Sequence, residues 1–273
     1  MCGPDAIQMT STPPGDLSAD RFFLAASAFL FLGSAAGTIY FCSTMSGGMV
    51  MPGGWTMSMM WMKMPAQTWA SSATSFLGVW TLMMLAMMLP SLAPMLLGYR
   101  RCIRATNRRR LGVLTGVCGA AYFFVWAAFG AVAYALGVIL AQAEMHWPAL
   151  ARAVPLLVGV ALLLAGCIQL TPWKSRQLVL CRLAPAGVGP AAGRVRHAWG
   201  HGVHLGVRCA LCCSGFMITL LVVGAMNLRA MVILAAALTA ERLVSRSAIV
   251  ARAAGVAIVL AGALTIAGAL RIT

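Results

Sequence analysis

"SFLGVWTLMMLAMMLPSLAPML", residues 75–96, decides the fold class of this 273-residue chain. The stretch carries no charged side chain and runs into Leu97-Gly98-Tyr99-Arg100-Arg101. About 20 apolar residues, each rising about 1.5 Å in a helix, span the hydrocarbon core of a bilayer. The stretch therefore reads as a membrane helix over Phe76–Leu97. Six further apolar runs share its character: Phe22–Phe41, Leu111–Leu140, Val154–Leu170, Val207–Val223, Arg229–Leu243 and Ala253–Leu270. The expectation is an all-α, polytopic transmembrane helical bundle of seven spans, or six if residues 207–243 form a hairpin. Residues 1–21 make a polar tail ahead of a membrane domain over 22–273.

Composition supports the bilayer as solvent. The chain is 61% hydrophobic and 9% charged, whereas soluble domains run near half apolar and about a quarter charged. Its net charge of +15 comes from 20 basic and 5 acidic residues. The cations flank apolar runs, where they fix topology and meet anionic head groups, so nucleic acid is excluded as a partner. The nine cysteines show no evenly spaced framework of the kind a secreted disulfide scaffold carries. The first 20 residues, with Pro13, Pro14 and three aspartates, do not read as a signal peptide.

Basic residues gather between alternate spans. Residues 98–110 hold Arg100, Arg101, Arg104, Arg108, Arg109 and Arg110; residues 171–206 hold Lys174, Arg176, Arg182, Arg194 and Arg196; Arg242, Arg246 and Arg252 lie around the last connection. The intervening connections hold Lys63, Arg152 and Arg229. The positive-inside rule then puts the basic loops and the N-terminus in the cytoplasm of a bacterial inner membrane, and the loop 42–75 outside.

That outer loop contains "WTMSMMWMKMP", residues 55–65, with Met57, Met59, Met60, Met62 and Met64. Thioethers are soft, uncharged ligands suited to Cu(I), and they survive where thiols would oxidise. The same residues, with Trp55 and Trp61, also suit an interfacial segment of adaptable apolar filler. In the following span, Met83/Met87 and Met84/Met88 stand four residues apart and stack on adjacent strips of one helical face. Pro90 and Pro94 then interrupt the hydrogen-bond ladder and free backbone carbonyls. A third group lies in "RHAWGHGVHLGVRCALCCSGF", residues 196–216. His197, His201 and His204 approach a CxxCC cluster of Cys209, Cys212 and Cys213, a donor set for Cu(I), with zinc as the second candidate. Small buried thiols and head-group histidines are the bland alternative.

Other chemistry is missing. No span holds a secure Asp, Glu or Lys, so no proton relay is read. No phosphate loop, aspartyl-phosphate motif or Ser-His-Asp arrangement is found, and no catalytic residue is assigned.

The blocks "WTMSMMWMKMPAQTW", "SFLGVWTLMMLAMMLPSLAPML", "QLTPWK" and "HLGVRCALCCSGF…VVGAMNLRAM…AERL" resemble a bacterial family of uncharacterised, predicted metal-binding integral membrane proteins. The resemblance covers about residues 22–270. It implies a polytopic inner-membrane protein and a metal role for Met83, Met84, Met87, Met88, Cys209, Cys212 and Cys213. The leading expectation is a copper-binding membrane protein that takes the ion at outer thioethers and passes it along span two to inner thiols, meeting a metallochaperone or a membrane-protein partner. The alternative is a non-catalytic subunit or assembly factor of a larger membrane complex. A membrane metalloenzyme would want several histidines at one depth, which the sequence does not supply.

Overall fold

The computed structural model describes residues 14–44, 48–50, 56–58, 61, 67–104, 108–182, 194–225, 227–244 and 247–272. Eight α-helices account for most of these: α1 (Pro14–Thr44), α2 (Trp69–Arg104), α3 (Leu111–His146), α4 (Pro148–Leu170), α5 (Pro172–Arg182), α6 (Val195–Val223), α7 (Leu228–Leu243) and α8 (Ser247–Ile272). Two three-residue strands, β1 (Gly48–Val50) and β2 (Thr56–Ser58), pair antiparallel between α1 and α2, with Met49 opposite Met57.

Local chemistry sets the breaks. Trp147 and Thr171 are extended and each precedes a proline, which disfavours helical geometry in the residue before it and opens the next helix at its first position. Gly224, at φ +112°, ends α6 in a conformation L side chains rarely adopt. Asn227 then starts α7, its side-chain oxygen accepting from the Ala230 N–H at 3.1 Å.

Six helices are long and apolar enough to cross a membrane: α1, α2, α3, α4, α6 and α8. The run Arg229–Leu243 is the exception. It forms α7, whose 16 residues reach about 24 Å at 1.5 Å each, against a hydrocarbon core of about 30 Å. Residues 207–243 do lie within a helical hairpin, but its first arm is longer than the sequence indicated, because α6 begins at Val195. The histidines therefore stand on the first turns of a spanning helix, and residues 171–206 also contain α5.

Contacts fix the directions. Asp20 at the start of α1 pairs with Arg100 (3.4 Å) and Arg104 (2.6 Å) at the end of α2, so these helices run antiparallel. Trp80 Nε1 donates to the Trp126 carbonyl at 2.9 Å across the antiparallel α2–α3 pair. Gly202 and Gly206 of α6 seat against the backbone of Cys118 and Tyr122, which sets α3 and α6 parallel. Gly159 and Gly166 of α4 meet Gly262 and Gly255 of α8 in antiparallel order, and a Cβ on Gly262 would lie 2.9 Å from the Gly159 carbonyl. Small residues let these backbones approach, as membrane helix pairs require. Consequently the end of α2, the starts of α3, α6 and α8 and the end of α7 share one end of the bundle.

The core centres on α2 and α6, which are half-buried along their apolar windows, while α1, α3 and α8 expose most of theirs. Exposed side chains such as Phe22, Phe29, Val132, Ile139 and Leu264 give these outer helices an apolar surface suited to lipid.

Candidate metal centre

The CxxCC cluster divides by helical spacing. Cys209 and Cys213 lie one turn apart on the α6 strip that faces the core, and their sulfurs are 3.9 Å apart. Met88 of α2 completes a row of three sulfurs, its Sδ lying 3.9 Å from Cys209 Sγ. All three residues are at most 2% exposed. Cys212, on the neighbouring strip, faces α5, where its thiol hydrogen-bonds Cys181; it also reaches Cys213. Four thiols thus follow one another from α5 to the core, and a thioether closes the row. Cys181 lies on α5, outside the spanning helices, and the hydrogen bond from Cys212 holds its thiol below the ordinary value against the opposing effect of burial.

Two polar groups converge on the inner pair, and a third holds one of them. Arg242, from the last turn of α7, donates through Nη2 to Cys209 Sγ at 2.8 Å and to Cys213 Sγ at 3.0 Å. Its Nη1 donates to Ser91 Oγ at 3.0 Å, and that hydroxyl donates to the Met88 carbonyl at 2.9 Å. Tyr122 Oη of α3 lies 2.8 Å from Cys209 Sγ. Beside the site, Lys174 of α5 pairs with Glu241 of α7 at 2.8 Å, both 1% exposed. Lys174 also donates to the Cys212 carbonyl at 2.7 Å, and Gln169 of α4 donates to Glu241 at 2.8 Å. This network ties α4, α5, α6 and α7 together where the thiols sit.

The other sequence-derived candidates are placed differently. Met83, Met84 and Met87 are buried in the same core, Met87 next to Met88 in the chain and Met84 and Met83 about a turn or more before it along α2. His201 stacks on Tyr99 with ring centroids 4.8 Å apart, and its Nε2 is buried without a hydrogen-bond partner among the described residues. It stands about 12 Å along α6 from Cys209. His197 and His204 are exposed. Among the described residues no three His, Cys, Asp or Glu side chains gather around one metal position, so the histidines and thiols do not form a single centre. Met57 lies in β2 with its side chain outside the described residues, as are Met59, Met60, Met62 and Met64 entirely. Trp61 packs on Phe76 at 5.3 Å and Phe76 stacks on Trp80 at 5.9 Å, an aromatic column that ends one turn before Met83 and Met84 on α2. A groove of about 810 Å³ between α1, α2 and α3 is lined by apolar side chains with Arg100 and Arg104 at one end, and none of the sulfur ligands borders it.

Reading the sequence alone missed Arg242, Lys174, Glu241, Tyr122 and Ser91. Arg242 and Lys174 were counted as loop cations, and Glu241 was not recognised as a buried carboxylate; the structure corrects all three. A signal was present. Glu241 is one of five acidic residues in the chain, and it closes an apolar run, where an ionisable group is a functional suspect.

The donor set fits a soft monovalent ion. With metal–sulfur bonds of about 2.3 Å, two sulfurs flanking one ion at a trigonal angle stand about 4 Å apart, and soft thiolate and thioether ligands select Cu(I). A family model described as "PpoB2: Copper chaperone" matches residues 77–265, well over half of the chain. The chain belongs to the PpoB2 copper chaperone family. The matched stretch holds the methionines of α2, Lys174, the CxxCC cluster and Arg242, and it leaves out the methionine loop. Family membership associates the chain with copper and refines the resemblance to predicted metal-binding membrane proteins. No curated protein and no solved structure matches the chain.

Proposed function

We propose that this protein is a membrane copper chaperone that carries Cu(I) as cargo on Cys209, Cys213 and Met88. The observation that carries the reading is the row of buried sulfurs, two thiols and a thioether at 3.9 Å spacing, in a member of a copper chaperone family. Thiolates and thioethers prefer this ion, and a buried site protects it from water and oxidant. Zinc is disfavoured, because it takes four ligands in closed structural sites, whereas among the described residues Cys209 has only the sulfurs of Cys213 and Met88 within 4 Å.

In this account Met57, Met59, Met60, Met62 and Met64 capture the ion at the outer face of a bacterial inner membrane. Met83, Met84 and Met87 lead it down α2 to Met88, and Cys212 with Cys181 continues the row toward the basic end of the bundle. The basic end faces the cytoplasm by the positive-inside rule, which also places the N-terminus there. Thioethers outside and thiols inside match the redox state of the two compartments. The partner is the membrane protein or metallochaperone that receives or supplies the ion; His201, His204 and Cys212 belong to the exchange side. The direction of transfer follows from the ligand gradient, from neutral thioethers to charged thiolates.

The test is titration of detergent-purified protein with Cu(I) against a chromogenic chelator. Met83, Met84, Met87 and Met88 replaced together by Leu should slow loading from the loop side, and Cys209→Ser with Cys213→Ser should abolish retention. Copper retained at wild-type stoichiometry by the double serine variant contradicts the reading.

A further inference from the structure

The site carries a fixed positive charge of its own. Among the described residues the partners of Arg242 are the Ser91 hydroxyl and the sulfurs of Cys209 and Cys213, and no carboxylate pairs with it. The neighbouring Glu241 is engaged by Lys174, so that pair sums to zero. Arg242 is 7% exposed and lies within a helical bundle. An uncompensated charge there is costly, because the low dielectric removes the solvation that water would supply.

We propose that Arg242 selects the charge of the bound ion, making the Cys209–Cys213–Met88 site specific for a monovalent soft cation over a divalent one; this rests on the copper-carrying reading above. The ligating form of cysteine is the thiolate, and the thioether of Met88 is neutral. Two thiolates, one monovalent ion and one guanidinium leave the buried assembly neutral. A divalent ion in the same position leaves it with a net positive charge, which only the loss of a further proton from the Tyr122 phenol or the Cys212 thiol, itself costly in this buried site, would offset. Removing the guanidinium inverts the preference: two thiolates then balance a divalent ion and leave a monovalent complex negative. Ordinary soft-ligand chemistry separates copper from hard cations but accepts Zn(II) and Cd(II) on thiolates as well. Arg242 supplies the discrimination that sulfur alone lacks, and Ser91 holds its other arm in place.

Arg242 acts through the ligands, so the test reads selectivity and not retention alone. Reduced, detergent-purified protein is titrated with Ag(I) and with Cd(II), following thiolate-to-metal absorption. The Cys209→Ser, Cys213→Ser variant supplies the baseline, and each affinity is normalised to that of free dithiothreitol. Wild type should favour Ag(I) over Cd(II) by about 100-fold more than the free dithiol does, the effect of one unpaired buried charge. Arg242→Gln should erase or reverse that preference, and Arg242→Lys, which keeps the charge, should retain it. An unchanged Ag(I)/Cd(II) ratio in Arg242→Gln overturns the inference while leaving the site intact. Should Arg242→Gln not fold, the wild-type ratio decides: a value equal to that of dithiothreitol overturns the inference. Metal absorption equal in wild type and the double serine baseline overturns the site itself, and the charge selection with it.

Discussion

Cys209 touches a thiol, a thioether, a phenol and a guanidinium, and each neighbour can be changed without emptying the core. Met88→Leu keeps the volume and removes only the sulfur, a swap that costs under about 1.5 kcal/mol of stability. It should weaken Cu(I) binding by about 10-fold, corresponding to about 1.4 kcal/mol, in a chelator competition, with the thermal midpoint of the apo protein lowered by no more than a few degrees. The Lys174–Glu241 pair predicts the opposite pattern. Lys174→Met leaves Glu241 buried beside an apolar side chain and should cost about 3–5 kcal/mol, read as a large drop in melting temperature in detergent. Adding Glu241→Met should recover part of that loss. The sulfurs were legible in the sequence because Cys and Met at helical spacing state their own chemistry. Arg242 and Lys174 were not, because a cation at the end of an apolar run reads as a loop residue. Only the fold of α5 and the return of α7 against α6 bury them.

Helices α4 and α8 approach closely backbone to backbone, and glycine is what permits it. A Cβ on Gly166 would lie 2.8 Å from the Val259 nitrogen and 2.9 Å from the Gly255 carbonyl, both backbone atoms that cannot swing aside. Gly166→Val should therefore destabilise the protein by about 1–3 kcal/mol, the cost of overpacking a core, measurable as lost protease resistance in detergent. The aromatic column on α2 makes a separate prediction. Trp61, Phe76 and Trp80 stack in a column that ends one turn before Met83, so, if capture begins at the methionines around Trp61, Phe76→Leu should speed Cu(I) loading in stopped-flow mixing while leaving the final stoichiometry unchanged. Six of the seven apolar runs form helices long and apolar enough to span a bilayer, since hydropathy over about 20 residues reports on a lipid-facing surface. The extent of α6 escaped that reading because its first turns, with Arg196 and three histidines, are polar; they are held in helix by packing Gly202 and Gly206 against α3.

The helices run alternately up and down, with their basic ends at one end of the bundle and the sulfur row in its central layer; α7, shorter than a full span, returns the chain to the basic end. Reporter fusions after residues 106, 188 and 246 should all score as cytoplasmic, and a fusion after Thr273 should score as external. A C-terminus on the same side as residue 188 would mean that α7 does not return the chain across the membrane. The buried sulfurs of α2 and α6 lie in this central layer, which gives the bundle a protected place for its cargo. The central claim is that one copper ion sits on Cys209, Cys213 and Met88. Copper K-edge X-ray absorption of Cu(I)-loaded, detergent-purified protein tests it most directly, with the Cys209→Ser, Cys213→Ser variant alongside. The account predicts a Cu(I) edge and a sulfur-only first shell near about 2.3 Å in wild type, lost in the variant. A shell of nitrogen or oxygen neighbours, or an identical sulfur shell in the variant, would contradict it.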